Sequence, residues 1–549
     1  MENKTIAVNP ILNGFYPDPS ICRVGEFYYL VNSSFVYFPG IPIFKSRDLS
    51  HWTQIGHVLD RNSQVPLTCT SHSEGIYAPT IRYNNGTFYI ITTNVSVKRD
   101  VGSNRITSGN FIVTAKDPAG PWSEPFYLGE DAPGIDPSLF FDDDGRCYYI
   151  GTRPNPSGVR YNGDWEIWIQ ELDLATMKLT GESKAVWKGA MRDVIWPEGP
   201  HLYKKDGYYY VMHAEGGTGP EHCVAIARSK DLWGTYEGNP CNPILTHRHL
   251  GKEYMPRYVG HGDLVETPNG DWYMVMLGSR AYEGYTALGR ETFLANVIWE
   301  NDWPVVNPGE GRLSETLEVK LSPCHEMPLN KSYQFHQEPL PYEFVMLRNP
   351  DEKLYDIDAK AGTLTLPLKP ETLEDLATPA YIGVRQYGYD YSVDTAFSFT
   401  PVNEKEAAGL AILQSNQYHL CIECVKKGDT WICQVLHVKA ESNIGSITGD
   451  AVTKPLCRET VASKELGKVS DTNQLFLKLI CHGQHVCIYA AAGTADYVLV
   501  GENIAICDLS TEVAGGFVGN TIGMYATSKG ERTDNCAVFK HFQYQDLTP

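Results

Sequence analysis

Asp18-Pro-Ser20, followed by the run Gly25-Glu-Phe-Tyr-Tyr-Leu-Val31, is the stretch that decides how this chain folds, because variants of it recur. Each copy is a short polar or turn motif, then Gly, then aromatic and β-branched residues. The other copies are Ala78-Pro-Thr80 before Gly86, Asp136-Pro-Ser138 before Gly145, Glu198-Gly-Pro200 before Gly207 and His261-Gly-Asp263 before Gly270. The five glycines are 61, 59, 62 and 63 residues apart. This period leaves room for four strands per unit and predicts a five-bladed β-propeller.

The rest of the chain also has the pattern of an all-β protein. Short aromatic and β-branched runs are broken by Gly, Pro, Asn and Asp, and helical periodicity is nearly absent. The repeat ends near residues 303–311, and residues 322–350 are rich in Pro and polar side chains, which indicates a linker. Beyond it, alternation as in Tyr418-His-Leu-Cys-Ile-Glu423 predicts a β-sandwich of jelly-roll, concanavalin-like form. We expect a propeller domain at 1–325 and a sandwich domain at 335–549.

Charge and composition limit the classes of molecule that the chain could bind. A formal net charge of −20 argues against nucleic acid or an anionic membrane as partner, whereas a neutral sugar is unaffected. The N-terminus lacks the features of a signal peptide, and no apolar run approaches the roughly 18 residues of a membrane helix, so a cytoplasmic location is expected. The 14 Cys form no pair or cluster with zinc spacing and are expected to be reduced thiols.

The repeated motif brings chemically active residues to one place. The first strand of each propeller repeat lines the central axis, so residues at equivalent positions lie at equal distances from it. We expect one pocket to be ringed by Asp18, the pair Tyr77 and Ala78, Asp136, Glu198 and His261. Three carboxylates at equivalent positions would repel one another. A purely structural role would therefore not favour this arrangement. The pattern therefore predicts a functional site.

Two carboxylates across a sugar-sized gap are the minimum apparatus of glycoside hydrolysis. Glu198 lies in the rigid, apolar stretch Trp196-Pro-Glu-Gly-Pro200, and a nearby Asp136 would raise its pKa further, so Glu198 suits the general acid. Asp18 suits the base. Asp136 is then the third member, which tunes the acid and orients the substrate.

At this point the motifs resemble a known family. Asn13-Gly-Phe-Tyr-Pro-Asp-Pro-Ser20, Gly134-Ile-Asp-Pro-Ser138 and Trp196-Pro-Glu-Gly-Pro200 are similar to the three signature blocks of glycoside hydrolase family 43. The whole chain resembles its two-domain β-xylosidases and α-L-arabinofuranosidases, which have a five-bladed propeller followed by a β-sandwich. That family is inverting. The resemblance implies Asp18 as general base, Glu198 as general acid and Asp136 as modulator of the acid's pKa, with about 6.5–9.5 Å between Asp18 and Glu198.

The same resemblance implies roles for further residues of this chain. Phe35 matches a Phe that lines the sugar pocket, and Tyr77 stands where the family usually has Trp. Arg290, in Leu288-Gly-Arg-Glu-Thr292, matches an Arg that binds substrate hydroxyls; a salt bridge to Glu291 or another neighbour is its alternative role. Trp196 and Ala78 complete the candidate substrate-binding residues of the propeller.

Two assignments leave alternatives open. His261 matches a His near the axis that holds water or, in some members, a calcium-associated water, so no cofactor is expected to be required and calcium near the axis stays an alternative. Gly515-Gly-Phe-Val-Gly519 resembles a loop that the sandwich pushes towards the propeller mouth, which would place Phe517 in the pocket. A Gly-flanked Phe in a packed turn is the other interpretation.

The leading functional prediction is an exo-acting glycosidase that releases terminal L-arabinofuranose or D-xylose from short arabinan, arabinoxylan or xylan oligosaccharides. The stretch from Gly75 to Asn94 slightly favours arabinofuranose. One alternative is a non-catalytic propeller that binds sugars or proteins. Another is a retaining fructan-active relative, whose N-terminal block is usually Asn-Asp-Pro-Asn and not Tyr16-Pro-Asp-Pro19. The aglycone, the linkage and the oligomeric state, including a homo-oligomer, are left open.

Overall fold

The computed structural model describes residues 4–96, 108–324, 331–350, 354–441 and 455–548. In these ranges the helical elements are a 3-10 turn at Gly129–Asp131 and the four-residue helix α1 (Thr511–Ala514), and no helix could cross a membrane. Almost all other regular structure is β-strand, which confirms the all-β prediction. Residues 1–3, 325 and 549, at the ends of the predicted domains, lie outside the described residues.

The N-terminal part consists of short strands joined by tight turns. In chain order they are β1 (Thr5–Val8), β2 (Ser20–Val24), β3 (Phe27–Val31), β4 (Tyr37–Phe38), β5 (Gly40–Ser46), β6 (Thr53–Leu59), β7 (Gly75–Ile76), β8 (Thr80–Asn84), β9 (Thr87–Val95), β10 (Gly109–Ala115), β11 (Phe126–Tyr127), β12 (Ile135–Phe141), β13 (Cys147–Pro154), β14 (Trp165–Asp173), β15 (Lys178–Trp187), β16 (Glu198–Lys205), β17 (Tyr208–Glu215), β18 (Cys223–Ser229), β19 (Glu237–Gly238), β20 (Leu245–Thr246), β21 (Arg257–Glu266), β22 (Trp272–Ser279), β23 (Glu291–Glu300), β24 (Trp303–Val306) and β25 (Thr316–Val319).

These strands form five antiparallel sheets of four or five strands among the described residues. Each sheet begins with an inner strand, and the inner strands are β2, β8, β12, β16 and β21. Each inner strand contacts the next, and β21 contacts β2, so the sheets close into a ring. Strand β1 pairs with β25, which ties the start of the chain to the end of the repeats. This closed ring is a propeller architecture, in which the inner strands surround the axis.

The C-terminal part consists of longer strands with one face buried. They are β26 (Lys331–Tyr333), β27 (Met346–Leu347), β28 (Asp356–Asp358), β29 (Thr363–Pro367), β30 (Ala380–Arg385), β31 (Asp390–Phe399), β32 (Ala407–Ser415), β33 (Tyr418–Lys427), β34 (Thr430–Ala440), β35 (Leu456–Lys468), β36 (Gln474–His482), β37 (His485–Ala492), β38 (Val498–Ala505), β39 (Thr521–Thr527) and β40 (Cys536–Asp546).

Two sheets of eight and six strands share one hydrophobic core, which confirms the predicted β-sandwich. Strand β36 shows the reason: buried and half-buried residues alternate along Gln474–His482, because successive side chains of a strand point to opposite faces. The sandwich core continues into the first two sheets of the propeller, so the two parts pack directly on each other.

The junction between the two parts is ordered. Strand β27 pairs with β4 of the propeller, with Met346 opposite Phe38. The fully buried Arg348 donates hydrogen bonds to the carbonyl oxygens of Thr70, at 2.8 Å, and Ala377, at 2.6 Å. The segment 322–350, whose composition indicated a linker, therefore packs against both parts where it is described, and this fixes the sandwich over the propeller.

Candidate active site

In β12 and β21, a bulge at the start of the inner strand turns one residue of the motif out of the regular strand. Asp136 and His261 lie in bulges of β12 and β21 and have φ angles of 53° and 50°. Asp18, just before β2, has φ 52°. A positive φ is uncommon for residues with a Cβ and often accompanies functional sites. The same unusual backbone therefore recurs around the ring.

Glu198 does not occupy the equivalent position, so the expectation of three equivalent carboxylates is wrong for this residue. The bulge in β16 lies between Glu198 and His201, and Gly199, with φ 58°, takes the place that Asp136 and His261 hold in their strands. The hairpin turns explain the error. The aligned glycines follow their bulges at different distances, because the turn after β12 is longer than the turn after β16.

We call the first group of residues the base corner: Asp18, Ser33, His261 and Arg290. Ser33 Oγ donates a 2.6 Å hydrogen bond to Asp18 Oδ2, and Arg290 Nη1 donates one of 2.7 Å to Asp18 Oδ1. His261 Nδ1 lies 3.9 Å from Asp18 Oδ1. Burial alone would raise the pKa of Asp18, but the charges of Arg290 and His261 and the Ser33 hydrogen bond outweigh it, so the pKa is lowered. Asp18 is thus held ionised.

The second group, the acid corner, consists of Asp136, Glu198 and Gly199. Burial and the neighbouring Asp18 raise the pKa of Asp136 to about 6, despite a 3.1 Å hydrogen bond from the Gly199 N–H. Burial, then the charges of Asp136 and Asp18, raise the pKa of Glu198 well above its usual range. Glu198 is thus held protonated, whereas Asp18, whose charge contributes to this shift, is held ionised.

His261 belongs to the base corner and also contacts Gly199 of the acid corner. A Cβ added at Gly199 would come within 2.8 to 3.0 Å of three atoms of the His261 ring, so the ring packs directly on the Gly199 backbone. Any larger residue at 199 would displace it. This contact gives a packing reason for Gly at the bulge in β16, which the motif alignment missed.

Three aromatic rings form one wall of the pocket. The Phe35 ring is fully buried, and its centroid lies 5.2 Å from that of Tyr77. Phe517 of the sandwich stacks on Phe35 at 6.1 Å with 21° between the planes and meets Tyr77 edge-on at 6.0 Å. The loop that carries Phe517 therefore reaches the propeller mouth and contributes to the pocket wall.

Ser73 joins this loop to the wall. Its Oγ accepts a 2.9 Å hydrogen bond from the Phe517 N–H, and its carbonyl accepts one of 2.8 Å from the Tyr77 hydroxyl. On the other side, Arg290 Nη2 donates a 3.4 Å hydrogen bond to the Phe517 carbonyl. A Cβ at Gly516 would lie 2.3 Å from Ser73 Oγ, so glycine is required for this approach.

The remaining predicted residues have plainer surroundings. Ala78 is buried two residues before β8, the inner strand of the second sheet. Trp196 has φ 47° and packs on Gly217, where a Cβ would lie 2.6 Å from the ring. Arg290 pairs with Asp18 and not with Glu291, because Glu291 is already paired with Arg280 at 2.7 Å.

A small, partly open pocket adjoins Arg290 and Phe517. Its lining is rich in hydroxyl groups and includes Thr218, Tyr258 and Thr286. The Thr218 Oγ1 and the Arg290 Nε are buried and have no hydrogen-bond partner among the described residues. Among the described residues, no group of three or more His, Cys, Asp or Glu side chains could hold a metal ion.

Some of these residues were not predicted from the sequence. Ser33 follows Asn32 in a polar run beside Phe35 and could have been singled out by that run alone. Ser73 carries no signal, since its role depends on a loop more than 440 residues away in the chain. Gly199 lies inside the motif Glu198-Gly-Pro200, but the motif by itself does not show that Gly199 takes the bulge position.

Comparisons with known proteins agree with this arrangement. Residues 7–304 match the family described as Glycosyl hydrolases family 43, and residues 332–545 match the Beta xylosidase C-terminal Concanavalin A-like domain. The chain is 51% identical to a xylosidase/arabinosidase of Butyrivibrio fibrisolvens, over 99% of this chain and all of that protein. It is 37% identical to the non-reducing end alpha-L-arabinofuranosidase BoGH43B of Bacteroides ovatus, over 98% and 94% of the two chains.

Solved structures show the same overall fold. GH43B from the Bacteroides ovatus xyloglucan locus superposes with a TM-score of 0.87 at 36% identity, over 99% of this chain and all of that one. The xylan beta-1,4-xylosidase from Bacillus halodurans superposes with a TM-score of 0.87 at 32% identity, over 98% of this chain and all of that one.

Proposed function

The chain belongs to glycoside hydrolase family 43, and we therefore propose that it is an inverting, exo-acting enzyme that releases terminal L-arabinofuranose and D-xylose from short oligosaccharides. The observation that carries the mechanism is the opposite pKa shift of two carboxyl groups that interact electrostatically, lowered at Asp18 and raised at Glu198. Glycoside hydrolysis by inversion needs one carboxylate ionised and the other protonated.

The proposed reaction is a single displacement. Glu198 donates its proton to the glycosidic oxygen as the bond from that oxygen to the anomeric carbon breaks. Asp18 accepts a proton from a water molecule as the water oxygen forms a bond to the anomeric carbon from the opposite side. The products are the alcohol and a sugar of inverted configuration, with Glu198 ionised and Asp18 protonated. A proton returned through solvent restores both groups.

Asp136 supports the acid and not the base. Its charge lies beside Glu198 and raises the pKa of that carboxyl, which keeps the proton available near neutral pH. The Gly199 N–H holds the Asp136 carboxylate in place at 3.1 Å. In the proposed mechanism, Asp136 therefore tunes the acid, and a second carboxylate oxygen is left to bind a substrate hydroxyl.

Arg290 and the aromatic wall provide the proposed sugar-binding groups. Arg290 Nε has no partner among the described residues and can donate to a sugar hydroxyl, while its Nη1 stays with Asp18. Tyr77 and Phe517 present apolar surface to a ring face, and the buried Phe35 ring packs against both of them. Because Phe517 comes from the sandwich, the loop blocks one side of the mouth, which favours attack at a chain end.

The proposal of two sugars rests on the relatives. The Butyrivibrio fibrisolvens protein is named a xylosidase/arabinosidase, and the Bacteroides ovatus protein is named for arabinofuranose at the non-reducing end. Family membership weighs against a non-catalytic propeller. The fructan-active alternative predicts retention and is tested directly below.

The decisive experiment compares 4-nitrophenyl α-L-arabinofuranoside with 4-nitrophenyl β-D-xylopyranoside. We expect hydrolysis of both, and proton NMR should show that the first sugar released has the inverted anomeric configuration. The Glu198→Ala and Asp18→Asn variants, checked for native thermal unfolding, should release 4-nitrophenol about 10²- to 10⁴-fold more slowly than the native protein. Normal turnover by either variant, or retention of configuration, would contradict the proposed mechanism.

A further inference from the structure

A charged side chain crosses the propeller axis directly beneath the catalytic carboxylates. Arg82 projects from β8, the inner strand of the second sheet, and its Nη1 donates to the Asp263 carboxylate of β21 at 2.8 Å. The same nitrogen lies 3.3 Å from Ser20 Oγ of β2, and Nη2 lies 2.9 Å from His201 Nδ1 of β16. One side chain can reach the first, fourth and fifth sheets from the second only by crossing the axis.

Arg82 is the centre of a group that we call the axial cluster: Ser20, Arg82, Ser138, His201 and Asp263. Ser20 Oγ donates to Asp263 at 2.7 Å, and Ser138 Oγ lies 3.0 Å from His201 Nδ1. Each of the five inner strands therefore contributes one member. Asp263 is fully buried, and Arg82 is mostly buried, with a side chain 16% exposed.

Apart from Arg82, each residue of the axial cluster lies two positions further along the chain than a residue of the base corner or the acid corner. Ser20 follows Asp18 by two positions, and Ser138 follows Asp136 by two. His201 and Asp263 stand in the same relation to Gly199 and His261. Because only one residue separates the members of each pair along the backbone, a shift in the cluster moves the catalytic ring with it.

The residues on this axis do not fit a calcium ion. Calcium takes six to eight oxygen ligands, and the axial cluster has one carboxylate, whose two oxygens already accept hydrogen bonds from Arg82, Ser20 and Tyr203. A guanidinium only donates, so His201 Nδ1 must be an acceptor and is already engaged. A dication at this place would also meet the fixed positive charge of Arg82.

We propose that Arg82 is the built-in cation of the propeller axis: its guanidinium joins the inner strands beside the catalytic carboxylates and positions the catalytic ring without metal. In this role Arg82 is a positioning residue, because it contacts none of the reacting groups. It joins three inner strands at one point by charge-assisted hydrogen bonds, which are stronger and more directional than neutral ones. The kcat readouts below depend on the proposed function, but the metal and unfolding readouts do not.

The first test concerns metal. We expect the purified protein to hold calcium far below one ion per chain by elemental mass spectrometry. Dialysis against EDTA, and then addition of calcium chloride, should leave the melting temperature and the kcat unchanged, because a ligand that binds the folded state would raise the melting temperature. Calcium retained in stoichiometric amount, or a melting temperature that falls on chelation, would overturn the proposal.

The second test removes the guanidinium. In Arg82→Ala we expect kcat to fall about 10- to 100-fold, with a smaller change in KM, because displaced catalytic groups lose orientation more than binding. Added guanidinium chloride at low millimolar concentration should raise the kcat of this variant and its melting temperature, and should change neither in the native protein. A folded Arg82→Ala protein with native kcat, or with no response to guanidinium, would contradict the inference.

Two further variants keep the test decisive. Arg23→Ala is the matched control, since Arg23 also links β2 to the fifth sheet, through the Glu266 carbonyl at 2.7 Å, but outside the axial cluster; it should keep native kcat. If Arg82→Ala does not fold, Arg82→Lys decides. It keeps the charge without the planar fork, so it should fold and lose kcat several-fold. Native kcat in Arg82→Lys would show that the fork is not needed and would overturn the proposal.

Discussion

The base corner and the acid corner shift the pKa values of their carboxyl groups in opposite directions. At the base corner, Asp18 is 5% exposed and accepts hydrogen bonds from Arg290 and Ser33, so its pKa is lowered. At the acid corner, Asp136 is 7% exposed, yet its pKa is raised to about 6, and that of Glu198 is raised further above its usual value. Burial is thus common to both corners, and the partners decide which carboxylate keeps its proton.

The two corners also differ in what supports them. The base corner depends on both domains, because Arg290 contacts Asp18 with one nitrogen and the Phe517 carbonyl of the sandwich with another. The hydrogen bond found for the acid corner comes from the propeller itself, from the Gly199 N–H. Damage to the sandwich loop should therefore affect the base before it affects the acid.

The largest expected effect distinguishes the general base from the general acid, because only the acid's contribution depends on the leaving group. Asp18→Asn and Glu198→Gln should each lower kcat by about 10²- to 10⁴-fold on a 4-nitrophenyl glycoside. With a 2,4-dinitrophenyl glycoside, Glu198→Gln should recover much of its activity, because a good leaving group needs no proton. Asp18→Asn should not recover.

Steady-state kinetics on the two substrates measure this difference. Asp173→Asn, at the end of β14, is the control and should behave as the native protein. Equal recovery of both variants would mean that the two corners do not divide acid and base.

The second-largest effect is expected when a substitution removes the positive charge of Arg290 from the base corner. In Arg290→Met the pKa of Asp18 should rise, because the main opposing charge is lost. The base works only when ionised, so the acidic limb of the pH profile of kcat/KM should move to higher pH. The loss of a charge-assisted hydrogen bond and a substrate contact should lower kcat/KM about 10- to 100-fold.

The matched control is Arg257→Met, which breaks a 3.0 Å ion pair with Glu512 of the sandwich and contacts neither corner. It should leave the acidic limb in place. An acidic limb that does not move in Arg290→Met would show that Arg290 does not set the charge of Asp18.

A smaller effect is expected at the acid corner from Asp136→Asn. Removing this charge should lower the pKa of Glu198, so the alkaline limb of kcat/KM should move to lower pH. The same variant should gain stability at neutral pH. The folded pKa of Asp136 is about 6 against 3.8 in the unfolded chain, so its contribution to stability falls as pH rises from about 4 through 6.

Thermal unfolding at pH 4 and pH 7 tests the second part. At pH 7 the variant should be more stable by about 1 to 3 kcal/mol, and the gain should shrink towards zero below the unfolded pKa. Equal stabilisation at both pH values would show that the ionisation of Asp136 is not the cause.

The smallest effect tests the support of the base corner by the sandwich. Ser73→Ala removes the acceptor of the Phe517 N–H, a hydrogen bond worth about 1 kcal/mol, so KM should rise about fivefold. The alkaline limb set by Glu198 should stay in place. Ser71→Ala, in the same loop, is the control, because Ser71 Oγ has no hydrogen-bond partner in the described part of the chain. A shifted alkaline limb in Ser73→Ala would break the distinction between the corners.

Much of the architecture could be predicted from local pattern. The alternation in β36 and the recurring Gly-aromatic runs indicated strands, and the family resemblance is confirmed by matches over both domains. Position within the repeat was less predictable. Counting back from Gly145 and Gly207 placed Asp136 and Glu198 in register, but the turns differ in length and the bulge in β16 falls at Gly199.

By itself, the sequence determined that this is an all-β member of its family and predicted which carboxylates carry the chemistry, because strand periodicity and short motifs are local properties of the chain. The tertiary structure alone decided that Arg290 pairs with Asp18 and not with Glu291, that Phe517 reaches the pocket through Ser73, and that Arg82 crosses the axis. These contacts join residues far apart in the chain. They exist only once the ring closes and the sandwich docks, and burial then makes each charge depend on its nearest partners.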